Sequence, residues 1–312
     1  MNSTLALRLV VLAACLHTAG YALPVKLAHE PALSPDGKTV AFGWQGDLWS
    51  APTAGGKATR LTSNAALDSG AAFSPDGKQL AFNSDREGSK QIYVMPAGGG
   101  EPKQLTWHTD GFDLREWLPD GKGLLVGLAR DFSWMRESRA ARLAIVDATE
   151  RKAESVLFDD YGSDGVVSPD GKRVLFVREG SESWWRQGYK GSRAGQIWLF
   201  NRDDGSFTKL IGETTESRWP LWKPDGKGFY FVSNRDGTYN LWEHDIASKK
   251  ATQLTHFKGD SVVFPAISRD GKTVVFRVKF DLYRWHPGDK EPALIAIDAA
   301  TDATLPDIER VL

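Results

Sequence analysis

Along most of its length the chain alternates short apolar runs with clusters of Gly, Pro, Asp and Lys. A run such as Gly70-Ala71-Ala72-Phe73 leads into Ser-Pro-Asp-Gly-Lys, and an alternating run, Gln79-Leu80-Ala81-Phe82, leads out of it. Asp-Gly supplies the positive backbone angle of a tight hairpin, and the proline sets the direction of the chain into it, so each unit predicts two paired strands. A third predicted strand carries an apolar residue followed in most copies by an aromatic one: Leu48-Trp49, Ile92-Tyr93, Leu143-Ala144, Ile197-Trp198, Leu241-Trp242 and Leu282-Tyr283. A fourth follows a Gly- or charge-rich turn and often ends in Leu-Thr, as at Leu61-Thr62, Leu105-Thr106 and Leu254-Thr255.

The turn motif occurs six times, with its aspartate at positions 36, 76, 120, 170, 225 and 270, so the spacings are 40, 44, 50, 55 and 45 residues. That period is the size of a four-stranded propeller blade. A lone blade cannot cover both of its faces, whereas six blades around an axis bury them against each other. The pattern therefore predicts an all-β chain, a six-bladed β-propeller of four-stranded antiparallel blades over residues 25–298, in preference to a sandwich or two domains. The 12 tryptophans are then mainly blade-to-blade packing. No α/β domain fits ahead of the first repeat at Leu33.

The regularity fails in one place. From the turn glycine to the third-strand aromatic position is 12 residues in blades one and six and 16 in blades two and five, but 23 in blade three (Gly121 to Ala144) and 27 in blade four (Gly171 to Trp198). Antiparallel strands reverse direction at each step, so all second-to-third loops emerge on one rim with the links between blades, and the Asp-Gly turns emerge on the other. The two long loops, Arg130 to Arg142 and Arg178 to Gln196, are thus predicted neighbours on one rim, where repeat scaffolds tend to carry function. The candidate substrate- or partner-binding residues are Arg136, Arg139, Trp184, Trp185, Arg186, Tyr189, Lys190 and Arg193. A basic, aromatic rim suits peptide carboxylates or extended peptide backbone. The same residues would equally serve to brace the loops or dock another domain, and both readings stay open.

Composition and charge narrow the partners. The 312 residues carry 39 Lys plus Arg against 40 Asp plus Glu, so no global field recruits nucleic acid or an anionic membrane. The first 22 residues have a polar start, Arg8, an apolar run and the exit Gly20-Tyr21-Ala22, the pattern of an export signal too short to span a membrane. Leu12-Ala13-Ala14-Cys15 also resembles a lipoprotein processing box, so cleavage near Ala22 and a lipid anchor on Cys15 are competing expectations. Cys15 is the only cysteine, which leaves the exported product without a disulfide framework and fits a periplasmic location.

Motifs for catalysis are missing. The chain has no Gly-x-Ser-x-Gly elbow, His-Glu-x-x-His pair, phosphate loop or calcium loop, and so no catalytic residue, metal ligand or cofactor is expected. The histidines outside the signal, His29, His108, His244, His256 and His286, stand singly on different blades. Asp85-Arg86 and Arg235-Asp236, in equivalent loops, read as local ion pairs rather than a carboxylate dyad.

The blade pattern resembles TolB-like, WD40-like and dipeptidyl-peptidase-like propellers in general. The segment Trp185-Arg186-Gln187-Gly188-Tyr189-Lys190-Gly191, followed by Arg193, Gly195 and Gln196-Ile197-Trp198, is more specific. It is similar to the Trp-Lys-Gly-Tyr-Arg-Gly … Arg-Gly-Lys-Ile-Trp segment in the N-terminal six-bladed propeller of tricorn-type serine peptidases, with Gln187 as one inserted residue. That resemblance implies a substrate-gating or binding propeller without catalytic residues of its own, joined to a C-terminal PDZ and serine-peptidase region that trims oligopeptides. Residues 299–312 would begin the linker to that region. The archetype is cytoplasmic, so the export signal is a departure from it. The competing functions are a stand-alone TolB-like periplasmic scaffold and the propeller of another hydrolase. Expected partners are peptides or the peptidase region, with no nucleic acid and no transmembrane span; a homo-oligomer stays open.

Overall fold

A computed structural model describes residues 22–129, 141–180, 185, 188–212 and 214–300. All regular structure among them is strand. Blade one is β2 (His29–Leu33), β3 (Thr39–Trp44), β4 (Asp47–Pro52) and β5 (Gly56–Arg60). Blade two is β6 (Asp68–Phe73), β7 (Gln79–Ser84), β8 (Gln91–Pro96) and β9 (Lys103–Gln104). Blade three is β10 (Asp113–Trp117), β11 (Gly123–Leu128), β12 (Arg142–Asp147) and β13 (Ser155–Val156). Blade four is β14 (Ser163–Val167), β15 (Arg173–Arg178), β16 (Gln196–Asn201) and β17 (Phe207–Ile211). Blade five is β18 (Ser217–Trp222), β19 (Gly228–Ser233), β20 (Asn240–Asp245) and β21 (Ala251–Gln253). Blade six is β22 (Val262–Ile267), β23 (Val274–Val278), β24 (Asp281–Trp285) and β25 (Ala293–Leu294). Neighbouring first strands touch in sequence around the axis, and β22 returns to β2 to close the ring. The six-bladed, all-β expectation is therefore met.

The core lies between blades. There are six apolar clusters, one at each blade interface: Phe42 and Trp49 of blade one, for example, pack with Val275 and Leu282 of blade six. Second strands are covered on both faces, so β7, alternating by sequence, is buried at every position after Gln79. A strand between two blades has no solvent face.

Ring closure is a feature that the repeats do not announce. β26 (Ile297–Ala300) leaves blade six and pairs in parallel with β5, Ile297 opposite Gly56, and β1 (Ala22–Pro24) pairs antiparallel outside it, Ala22 opposite Ala300. Blade one thus has six strands, and both ends of the described chain hold it.

Two recurring side-chain devices explain the motifs. In the turns, Ser34 Oγ donates to Asp36 Oδ1 (2.7 Å) and accepts from Thr39 N (3.0 Å), while Gly37 takes φ 68°. The serine donation holds the Asp36 carboxyl below its ordinary range, and the Ser74–Asp76, Ser168–Asp170 and Ser268–Asp270 pairs repeat it. After the fourth strand, the threonine of Leu-Thr replaces a ladder partner: Thr62, Thr106 and Thr255 Oγ1 each accept from the backbone N of Leu48, Ile92 and Leu241 at 2.9 Å. Each hydroxyl then donates to the residue that opens the third strand: Asp47, Gln91 or Asn240.

Neither expected local ion pair, Asp85–Arg86 or Arg235–Asp236, forms between its own two residues. Arg86 reaches back to the buried Asp68 (3.0 and 3.1 Å), and Asp85 accepts from Leu67 N (2.8 Å). Arg235 lies over Phe231 and Trp242, while Asp236 accepts from Asn240 and Gln253. Adjacent residues on a strand-like segment point apart, so each carboxylate finds partners elsewhere in its surroundings.

Candidate functional site

The long-loop rim is described only in part. Arg136, Arg139, Trp184 and Arg186 lie outside the described residues. Trp185 is 69% exposed. Tyr189 is half-buried and folds its ring back over Gly191, whose Cβ, if it had one, would lie 2.5 Å from the hydroxyl. Lys190 is exposed and Arg193 half-buried, with the Arg193 carbonyl accepting from Gly180 N at 3.0 Å.

The base of this loop is fastened to blade five by two residues that sequence reasoning passed over. Glu216 Oε2 accepts from Gly195 N (2.8 Å), its other oxygen pairs with Arg218, and Arg218 Nη2 donates to the Gly180 carbonyl (2.7 Å). The Glu216 side chain is 2% exposed, and burial pushes its carboxyl upward although Arg218 pulls the other way. Gly180 and Gly195, the two ends of the loop, are thus tied to one buried ion pair. The flanking arginines brace the link between blades three and four: Arg142 pairs with Asp159 (2.8 Å), and Arg178 pairs with Asp160 (3.1 Å) and lies over Trp198.

The axis forms the second part of the site. Every first strand carries a β-bulge, between His29/Ala32, Ser69/Ala72, Leu114/Glu116, Ser163/Val166, Arg218/Leu221 and Val263/Ala266. A bulge re-aims the extra residue away from the sheet. In five blades the residue four before the turn's first position takes positive φ: Glu30 (47°), Gly70 (59°), Asp164 (48°), Trp219 (49°) and Phe264 (53°). In blade three Arg115 occupies the bulge instead. Three neighbouring pairs of these six residues meet around the axis. Arg115 reaches Asp164 (3.2 Å), Trp219 and Phe264 rings lie 5.4 Å apart, and a Cβ on Gly70 would stand 3.6 Å from Glu30 Oε2. The waist is charged on blades one, three and four and aromatic on blades five and six.

At the turn rim, blade six departs from its repeat. Its turn reads Ser268-Arg269-Asp270-Gly271, with arginine where the other five copies have Pro35, Pro75, Pro119, Pro169 and Pro224. Arg269 Nη2 donates to the Pro119 carbonyl of blade three at 2.8 Å, which spans the ring from one side to the other. Beneath it, burial pushes the Glu116 carboxyl up to about 8, even though it accepts from Val167 N.

Among the described residues no three His, Cys, Asp or Glu side chains stand close enough to hold a metal ion, and no helix is long and apolar enough to cross a membrane. His244 is buried against Phe229, 5.0 Å between ring centres, and neither ring nitrogen meets a hydrogen-bond partner.

These features define a six-bladed propeller of the kind found in tricorn and TolB. The crystal structure of the tricorn protease matches with a TM-score of 0.74 at 22% identity, over 91% of this chain and 27% of that one. The structure of putative TolB from Agrobacterium tumefaciens matches at 0.65 and 22% identity, over 82% and 90%. In sequence, the model of the tricorn protease N-terminal beta propeller domain matches residues 25–291. Tricorn protease homolog 1 of Streptomyces coelicolor is 32% identical over 253 residues, which cover 80% of this chain and 23% of that protein. The chain belongs to the tricorn protease N-terminal β-propeller family. It spans about a quarter of the length of the curated tricorn relatives it matches.

Proposed function

We propose that this chain is the non-catalytic, substrate-binding and gating propeller of an exported tricorn-like serine peptidase that degrades oligopeptides. One observation carries the reading. In a member of this family, the base of the blade-four long loop is anchored at both ends, at Gly180 and Gly195, by Glu216 and Arg218. A loop held at its base and exposed at its tip, as at Trp185 and Lys190, is built to present side chains to a partner. The peptidase and PDZ region of the same protein is the proposed partner within the chain. The proposed location is the periplasm after cleavage near Ala22, the start of the first described strand.

The test is peptide binding by the full chain, followed by fluorescence anisotropy. Changing Arg186, Tyr189 and Lys190 together to Ala is expected to weaken binding of an oligopeptide about tenfold or more. Unchanged peptide affinity, together with unchanged association with a separately expressed peptidase region, would refute the rim reading. The intact mass of the exported protein separates cleavage near Ala22 from a lipid on Cys15.

A further inference from the structure

The charges of the axial waist are not equally matched. Asp113 is paired with Lys90 (2.8 Å) and Arg115 (2.7 Å), Asp164 with Arg115 (3.2 Å), and Glu216 with Arg218. Glu30 is different. Its nearest ionisable neighbour among the described residues is His29, Nδ1 to Oε2 3.8 Å, and no Lys or Arg among them comes within ion-pair distance. The Glu30 side chain keeps 44% of its surface accessible although it sits on an innermost strand, where only the axial space can provide that access.

Blade two sets no side chain against it. The equivalent residue of blade two is Gly70, and a Cβ there would lie 3.6 Å from Glu30 Oε2 and 3.3 Å from Asn83 Oδ1. Around the ring from Glu30 in the other direction come Phe264 and Trp219, both half-buried. Phe264 already carries one cation, the Arg277 guanidinium 5.1 Å from its ring centre. An ionised, accessible carboxylate in the same ring as two aromatic side chains is the chemistry that holds a cation. The lowered pKa of Glu30, set first by its hydrogen bond with His29, keeps that carboxylate charged at neutral pH.

We propose that the channel waist is a binding site for one ammonium or guanidinium group of a peptide, taken by the accessible Glu30 carboxylate beside Gly70, with Trp219 and Phe264 as the aromatic wall. The guest enters from the long-loop rim, because Arg269 straps the other mouth to Pro119. This rests on the peptide-binding reading above and adds to it a second contact, inside the ring, selective for positive charge. Two sources supply such a group: a peptide's α-ammonium and a Lys or Arg side chain.

Calorimetric titration of the full chain tests this with three probes: pentaalanine amide with a free amino end, its acetylated form, and an acetylated alanine peptide carrying one lysine. Acetylation is expected to weaken binding about tenfold. Recovery by the lysine probe assigns the site to side chains as well; no recovery assigns it to the amino terminus. Glu30→Gln, which keeps the shape and removes the charge, is expected to weaken the cationic probes about tenfold and leave the acetylated one unchanged. Its thermal midpoint should match that of the unaltered chain, since Glu30 packs in no core cluster. If Glu30→Gln binds cationic probes as tightly as before while the Arg186, Tyr189 and Lys190 triple variant still loses affinity, the waist site is wrong and the rim reading survives. If no probe binds at millimolar concentration, both fall.

Discussion

On one rim the six Asp-Gly turns repeat almost without variation: glycine φ runs only from 64° to 75°, and in four of them a serine hydroxyl ties the aspartate. On the other rim the same hairpins are joined by loops of four different lengths. The exposed apolar residues Leu27, Leu67, Trp185 and Phe280 all lie in its loops and links, and none of the exposed large apolar residues described lies in the turns. A tight turn is closed by hydrogen bonds within five residues, so any lengthening breaks it. A second-to-third loop joins strands already held by their own ladder, and it can grow at little cost. The uniform rim therefore carries register, and the variable rim is free to carry recognition.

The sharpest way to break this contrast is at the foot of the long loop. Glu216→Ala takes the ion-pair partner at 2% exposure away from the largely buried Arg218, and the expected loss is about 3–5 kcal/mol in urea unfolding. Faster amide exchange at Gly195, whose N–H loses its acceptor, should accompany it.

A smaller effect is expected on the uniform rim, and it should differ between two equivalent glycines. Gly271→Ala places a Cβ 2.3 Å from Pro224 Cγ, whereas Gly171→Ala meets nothing within 4 Å. Both changes carry the left-handed backbone cost of about 1–2 kcal/mol. Overpacking should add about 1–3 kcal/mol at Gly271 alone. Equal losses in thermal or urea unfolding would show that the turns do not pack against one another. Next comes Thr255→Val, which removes the acceptor of Leu241 N with little change of shape and should cost about 1–3 kcal/mol by the same measurement.

The smallest effect concerns His244, which lies beneath the turn rim. Burial, and then the nearby Arg235 charge, lower its folded pKa. The unfolded chain takes up a proton near its ordinary value of about 6.5, where the folded one does not, so stability is full above that pH and declines as pH falls toward the lowered folded value. His244→Leu should flatten this acid limb in urea midpoints measured between about pH 5 and 8; an unchanged slope would mean the ring is not the group that titrates.

The blade scaffold was legible in the repeats, and what was missed around the candidate site follows a physical pattern. The third-strand aromatics were readable because blade packing acts on every copy alike. Glu216 and Arg218 were not, because each sits in an unremarkable stretch and gains its role only from Gly180 and Gly195 in the preceding blade. The waist had a signal that went unused: aligned on the turns, the residue four places earlier is Glu30, Gly70, Leu114, Asp164, Trp219 and Phe264, varied where its neighbours are regular. Even so, the alignment selects Leu114 in blade three, where the fold puts Arg115. Arg269 is visible as an exception to five prolines, but its partner Pro119 is 150 residues away.

By itself the sequence determined the strands, the number of blades, the hairpin turns and which rim the long loops share, since these follow from local turn chemistry and a repeating period. Tertiary structure decided how the ring closes, through β1 and β26 on blade one, and which bulge residues face the axis. It also decided which carboxylates are neutralised across blades and which one, Glu30, is left open to the channel. Those outcomes depend on distances between segments far apart in the chain, and only the closed ring sets them.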